Sequence, residues 1–209
     1  MHDYEQLLTT IRARRSIRRF LDRAVSREDL ARMFEAVRWA PSNHNRQPWR
    51  FVVLEDRAQI ATLAGAIRES LTARLHALPA LVAGHAEEFV HHATVFAQAP
   101  AVIVALHRRP ASLASALMQG VPCPELVSGE PLSVAMAIQN LLLAAQTLGL
   151  GTCMLTAPLL AREAVAGGLA LPPGCEITCL VAVGHPAETP VPPRRKETTH
   201  FVDFHHDPS

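Results

Sequence analysis

The chain has 209 residues, 49% of them hydrophobic, and its 20 Lys+Arg stand against 19 Asp+Glu for a formal net charge of +1. That size suits one domain with a sizeable core, and the charge balance excludes a general pull toward nucleic acid or an anionic membrane. Cys123, Cys153, Cys175 and Cys179 form no CxxC pair, the N-terminus is polar and acidic, and the main apolar run, near 132–145, is broken by Gln139 and Asn140. Together these read as a cytoplasmic protein with free thiols, no signal peptide and no membrane span, which would need ~20 apolar residues.

Tyr4, Leu7, Leu8 and Ile11 recur at helical spacing, so an amphipathic helix is expected to open the chain, with Asp3 as its cap. Ser26 starts a second helix with the stripe Leu30, Met33, Phe34 and Val37, and Pro41 stops it. Phe51 to Leu54 reads as a short buried strand, followed by a helix marked by Ile60, Leu63, Ile67 and Leu71. Ala101 to Leu106 is a second buried strand. Residues 107–130 contain Pro110, Pro122 and Pro124 without a clean period, and read as a long loop. Pro131 is expected at the first position of a helix that Gly149 ends. That helix is apolar nearly all round, which predicts a central, buried place. Glu176 to Val183 is a further strand, and from Pro190 the tail turns Pro-rich and then basic. Helices and strands mix without regular βαβ alternation, so the fold class is α+β, in one domain over 1–209.

Four constellations carry chemistry. Arg14-Arg15-Ser16-Ile17-Arg18-Arg19-Phe20 follows the first helix. Guanidinium groups beside a hydroxyl suit a phosphate, though the same residues suit a solvated helix C-terminus or a nucleic-acid patch. Ala40-Pro41-Ser42-Asn43-His44-Asn45-Arg46-Gln47-Pro48-Trp49 crowds amides into a loop between a helix and a strand. Amide side chains offer donor and acceptor together, as the edge of a heterocycle requires, and the same residues also form ordinary turns. Leu148-Gly149-Leu150-Gly151-Thr152-Cys153-Met154 leaves a helix, has Met154 where a dinucleotide fingerprint needs glycine, and so is a helix C-cap and not a Rossmann motif. Pro193-Arg194-Arg195-Lys196 is a second basic set.

Other residues read as structural. The pairs His91-His92 and His205-His206 lack metal-ligand spacing, and His200 sits in a solvated tail. Cys175 and Cys179 stand four apart on one strand, where they can share a face as buried, inert thiols. Gln139 and Asn140 in the apolar helix are read as making core hydrogen bonds, with contact of one of them to a ligand as the alternative.

Taken in order, Arg-Arg-Ser-x-Arg-x-Phe, Ala-Pro-Ser-x-x-Asn-x-Gln-Pro-Trp, Leu-Gly-Leu-Gly-Thr and a late Arg-Lys resemble the nitroreductase family over about residues 7–197. The Pro-Ser-x-x-Asn-x-Gln-Pro-Trp block is the most specific of these. The resemblance implies a three-layer α+β fold, with a mainly antiparallel sheet flanked by helices, in an intertwined homodimer with two FMN sites at the subunit interface. It implies electron transfer from NADH or NADPH to a small organic acceptor, a nitroaromatic or quinone, by a ping-pong course with no catalytic acid, base or nucleophile from the protein. Same-fold alternatives are enone reduction, dehydrogenation, dehalogenation, or FMN binding without turnover. By position, Arg14, Ser16 and Arg18 resemble flavin ligands from one subunit, with Arg15 contributing chiefly its backbone. Ser42, Asn43, Asn45 and Gln47 resemble contacts from the other subunit. Thr156, Ala157 and Pro158 resemble a loop near the reactive face of the ring, and Arg195 and Lys196 the distal phosphate ligands. Residues 72–95 and 107–130 match no motif of the family, which leaves the acceptor open.

Overall fold

The computed structural model describes residues 2–76, 84–108 and 129–204. Most of the 107–130 segment, part of 72–95, Cys123 and the His205-His206 pair lie outside them.

The helices are α1 (His2–Ala13), α2 (Arg27–Val37), α3 (Arg57–His76), α4 (Ala86–Ala93), α5 (Glu130–Thr147) and α6 (Arg162–Gly167). The strands β1 (Trp49–Leu54), β2 (Ala101–Arg108), β3 (Gly151–Leu155) and β4 (Cys175–Gly184) form an antiparallel sheet in the order β1-β2-β4-β3. β2 is buried on both faces, which explains its unbroken apolar run. Val102, Val104 and Leu106 enter one core with α3, α4 and α6, while Ala101, Ile103 and Ala105 enter another with α2 and α5. A sheet carrying helices on both faces is the expected three-layer α+β arrangement.

Local chemistry explains most boundaries. Ser26 caps α2 by accepting the Asp29 N–H at 3.0 Å, an interaction that contributes about 1 kcal/mol. The opening helix starts at His2, so Asp3 lies in its first turn and does not cap it. β1 begins at Trp49, two residues before the expected strand, and β2 continues through His107 and Arg108, beyond the expected start of the long loop. α5 starts at Glu130 with Gly129 as N-cap, which puts Pro131 second in the helix. Its end is as expected. The Gly149 N–H donates to Gln146 O, the Leu150 N–H donates to Ala145 O, and Gly149 takes φ +72°, which together make a Schellman motif. Asn140 donates from Nδ2 to Ala36 O at 3.1 Å, tying α5 to α2.

Two features were not foreseen. The residues after Gly149 do more than cap a helix, because Gly151–Leu155 is the edge strand β3. In addition, Ala105 pairs with Cys179 while Leu106 pairs with Ile177, so Thr178 is an extra residue in β4. This bulge reverses the alternation of faces. Cys179 therefore enters the α2/α5 core while Cys175 packs against the α3 core, and the two thiols do not share a face.

Candidate functional site

The basic segment after α1 is laid along the edge of the sheet. Ser16 bridges to Thr152 in β3, and the Ile17 N–H donates to Thr152 O at 2.9 Å. A Cβ on Gly151 would stand 2.7 Å from Ile17, so only glycine lets the segment approach this closely. Further on, Phe20 bridges to Pro186, the Leu21 N–H donates to His185 O and the Ala187 N–H to Arg19 O. The edge strand β3 is thereby covered, which removes an open strand edge.

Glu188 fixes the central turn of this segment. Its carboxylate accepts the backbone N–H groups of Arg18 (2.6 Å) and Arg19 (3.0 Å) and the Arg19 Nε–H (3.2 Å). Burial alone would raise the carboxyl pKa, but these donors outweigh it and hold the group below the usual carboxylate range. With Glu188 anchored, the following tail returns alongside the arginines. Arg14, Arg15, Ser16, Arg18, Pro190, Val191, Pro193 and Arg195 line one cleft of about 260 Å³. Arg15 folds its guanidinium back onto Arg12 O (2.5 Å) and Arg14 O (2.7 Å), where it caps the end of α1. That leaves Arg14, Arg18, Arg195 and the Ser16 hydroxyl to face a ligand. Cations from both ends of the chain, together with a hydroxyl, match the donor set of an organic phosphate. Lys196 follows Arg195 in an exposed stretch but does not line the cleft.

The amide loop has an unusual backbone. His44 (φ +51°), Asn45 (φ +52°) and Gln47 (φ +48°) all lie in the left-handed region. Asn and His tolerate that region better than most residues, whereas Gln costs of order 1 kcal/mol or more there. Several contacts hold the loop. The Ser42 Oγ accepts the Gln47 N–H at 3.0 Å, Gln47 Nε2 donates to Asn45 Oδ1 at 3.1 Å, and the Asn43 N–H donates to Ser133 Oγ at 3.1 Å. Arg46 pairs with Glu130 at 3.0 Å. Asn45 and Gln47 remain exposed, with their amides at the surface.

The two constellations stand far apart within one chain. The amide loop leads into β1 and docks on the first turns of α5, whereas Ser16 lies on β3 at the opposite edge of the sheet. Arg15 and Ile17 line a second cleft with Gln146 and Gly149 from the far end of α5. The rise of that helix alone separates Ser133 from Gln146 by roughly 20 Å. Thr156, Ala157 and Pro158 follow β3. Thr156 is exposed, Pro158 is buried, and the Leu159 N–H donates to Thr156 O at 2.9 Å.

Sequence reasoning missed Glu188, Glu130 and Ser133. An acid inside a Pro-rich, basic tail, and an acid followed three residues later by a serine at a helix start, are faint signals in hindsight. Their partners lie at sequence distances no periodicity reaches.

A protein-family model described as the nitroreductase family matches residues 11–185. A Thermus thermophilus protein named NADH dehydrogenase is 31% identical over 195 residues, covering 87% of each chain. Among solved structures, a BluB-like flavoprotein from Clostridium difficile superposes with a TM-score of 0.83 at 24% identity, over 96% of this chain and 99% of that one. A Desulfovibrio desulfuricans protein solved in complex with FMN superposes with a TM-score of 0.68 at 28% identity, over 96% and 98% of the two chains.

Proposed function

The chain belongs to the nitroreductase family, and from that premise we propose that residues 1–209 form one FMN-binding domain of a homodimeric oxidoreductase that passes electrons from NADH or NADPH to a small organic acceptor. Two-electron redox chemistry is what bound FMN supplies; the protein's part is to hold, orient and polarise. In this reading Arg14, Ser16 and Arg195 grip the phosphate in the basic cleft, with Lys196 adding charge from outside it. Arg18 places a guanidinium where negative charge gathers on a reduced ring. Ser42, Asn43, Asn45 and Gln47 present donors and acceptors to the pyrimidine edge, and Thr156, Ala157 and Pro158 border the reactive face. Arg15 contributes backbone alone, because its side chain is committed to the end of α1.

The observation that carries this reading is the separation of the two constellations. Arg18 and Gln47 are both suited to the same ring edge, yet Arg18 follows the segment bridged to β3 at one edge of the sheet while Gln47 leads into β1 at the other. One complete site therefore needs the cleft of one chain and the loop of another. The surface supports such an association. Tyr4, Leu7 and Ile11 on α1, and Leu132 and Met136 on α5, are exposed apolar residues on two helices in contact. Among the described residues no helix is long and apolar enough to cross a membrane.

The purified protein is expected to be yellow, to release FMN and not FAD on denaturation, and to have a solution mass near twice 22.8 kDa. A colourless protein that takes up no FMN would refute the proposal. Turnover with NADH and NADPH against nitroaromatic, quinone, enone and halogenated compounds then identifies the acceptor class. Reoxidation at the background rate with every acceptor would reduce the assignment to FMN binding.

A further inference from the structure

Ser133 and Glu130 lie three residues apart at the start of α5, and both are almost fully buried, at 1% and 2% exposure. On a helix that spacing puts them on one face, and both reach the amide loop. The Ser133 Oγ donates to Gly129 O at 2.7 Å and accepts the Asn43 N–H at 3.1 Å. The Glu130 carboxylate takes Arg46 NH1 at 3.0 Å through Oε1, while its Oε2 is buried with no hydrogen-bond partner among the described residues. A buried, half-satisfied carboxylate is a poor device for stability, since an apolar pair of like volume commonly serves as well. Its partner is the residue between Asn45 and Gln47, in a stretch where three non-glycine residues hold positive φ. Such a backbone persists only where surrounding contacts over-determine it.

We infer that Glu130 and Ser133 are positioning residues for the FMN ring. Through Arg46 and the Asn43 N–H they hold the loop in the left-handed conformation that presents the Asn45 and Gln47 amides at the surface. This rests on the flavin reading above. Released from the clamp, the loop relaxes toward ordinary backbone angles, and the amides lose their aim without any loss of the groups themselves.

The test uses the full-length dimer in two forms. In Arg46→Met with Glu130→Leu, the ion pair is replaced by apolar side chains, so the thermal midpoint of the apoprotein should stay close to wild type. In Ser133→Ala the hydroxyl alone is lost. FMN affinity is read by fluorescence titration, and the position and shape of the bound flavin's visible bands give a second reading. Both variants are expected to bind FMN about tenfold more weakly, the order of one lost buried hydrogen bond, with altered bands. A merely structural role would leave affinity and spectrum at their wild-type values in both folded variants, whatever the midpoint does. Wild-type affinity and spectrum in the folded variants would overturn the inference. Should the pair replacement fail to fold, Ser133→Ala decides by the same two readings. A wild-type chain that binds no FMN overturns the flavin reading and this inference together, whereas normal binding in both wild type and variants overturns this inference alone.

Discussion

The carboxylate of Glu188 accepts the backbone N–H of Arg18 at 2.6 Å, across 170 residues of chain. Hydrogen bonds to a charged acceptor contribute about 2 kcal/mol, while the Arg19 side chain, 71% exposed, adds little. Because the folded-state pKa is lowered from 4.5, this stabilisation is present at neutral pH and is lost as the pH falls through the lowered value. Glu188→Gln should lower the melting temperature at pH 7 by roughly 4–8 °C, and the gap from wild type should close as the pH falls below the usual carboxylate range. Melting curves from pH 3 to 8 check this, and a gap independent of pH would contradict it.

Charge at the cleft should set cofactor affinity. Arg195→Glu is expected to weaken FMN binding by at least about tenfold, since it removes one ionic hydrogen bond and adds a repulsion. Lys196→Glu should do less, because Lys196 does not line the cleft. Neither residue is in the core, so melting of the apoprotein should hardly change. Equilibrium titration of the two single variants and the double variant gives the ranking. An unchanged double variant would remove both residues from the site.

Subunit mixing tests the division of ligands. Arg14→Glu and the double replacement Asn45→Leu with Gln47→Leu should each bind FMN poorly as homodimers. A heterodimer of the two has one doubly damaged site and one intact site, so about half of the normal flavin per dimer should return if sites act independently. No recovery in verified, folded heterodimers would show that each site is built from one chain.

Gly151→Ala probes the docking of the basic segment. The new Cβ would meet Ile17 at 2.7 Å, and overpacking of this kind costs about 1–3 kcal/mol. Both the melting temperature and FMN affinity should fall, since Ile17 sits between Ser16 and Arg18. A stable variant with normal affinity would show that the segment can shift without penalty.

Thiol reactivity reports on the two cores. Burial pushes the Cys179 thiol up to about 12, and burial likewise raises Cys153. Neither should react with a disulfide reagent at pH 8 in the native protein, and both should react promptly in denaturant. Fast native labelling of Cys179, read by mass spectrometry, would mean that the sheet opens far more readily than its packing implies.

Elements with a local signal were legible in the sequence. The helical stripe from Leu30 to Val37, the Ser26 cap and the Gly149 terminus are set by neighbours within a few residues, and all appear in the structure. β3 was not legible, because five residues reading Gly-Thr-Cys-Met-Leu are too few to show alternation beside a helix cap. The bulge at Thr178 was also hidden, since it arises from the pairing of β4 with β2 and not from β4 alone. For the site, the basic segment and the late Arg195 could be named from residue type, and the structure brings them to one cleft. Glu188, which holds the basic segment, and Glu130 and Ser133, which hold the amide loop, act across 90 residues or more in two of the three cases, beyond the reach of spacing arguments. Motif order pairs the amide loop with the arginines across two subunits by resemblance; the sheet topology sets the two at opposite edges of the sheet.

The cleft takes one wall from residues 14–18 and the other from residues 190–195. The first wall is synthesised before the sheet and the second after it, and domains begin to fold as they emerge. A nascent chain can assemble α1, the sheet and both cores while its arginines still face water on one side only. A chain released early, short of Glu188, would have every strand of the sheet but only the first wall of the cleft. On the flavin reading, FMN affinity is complete only once residues 190–195 are in place, which makes it a readout of whether translation reached the second wall of the cleft.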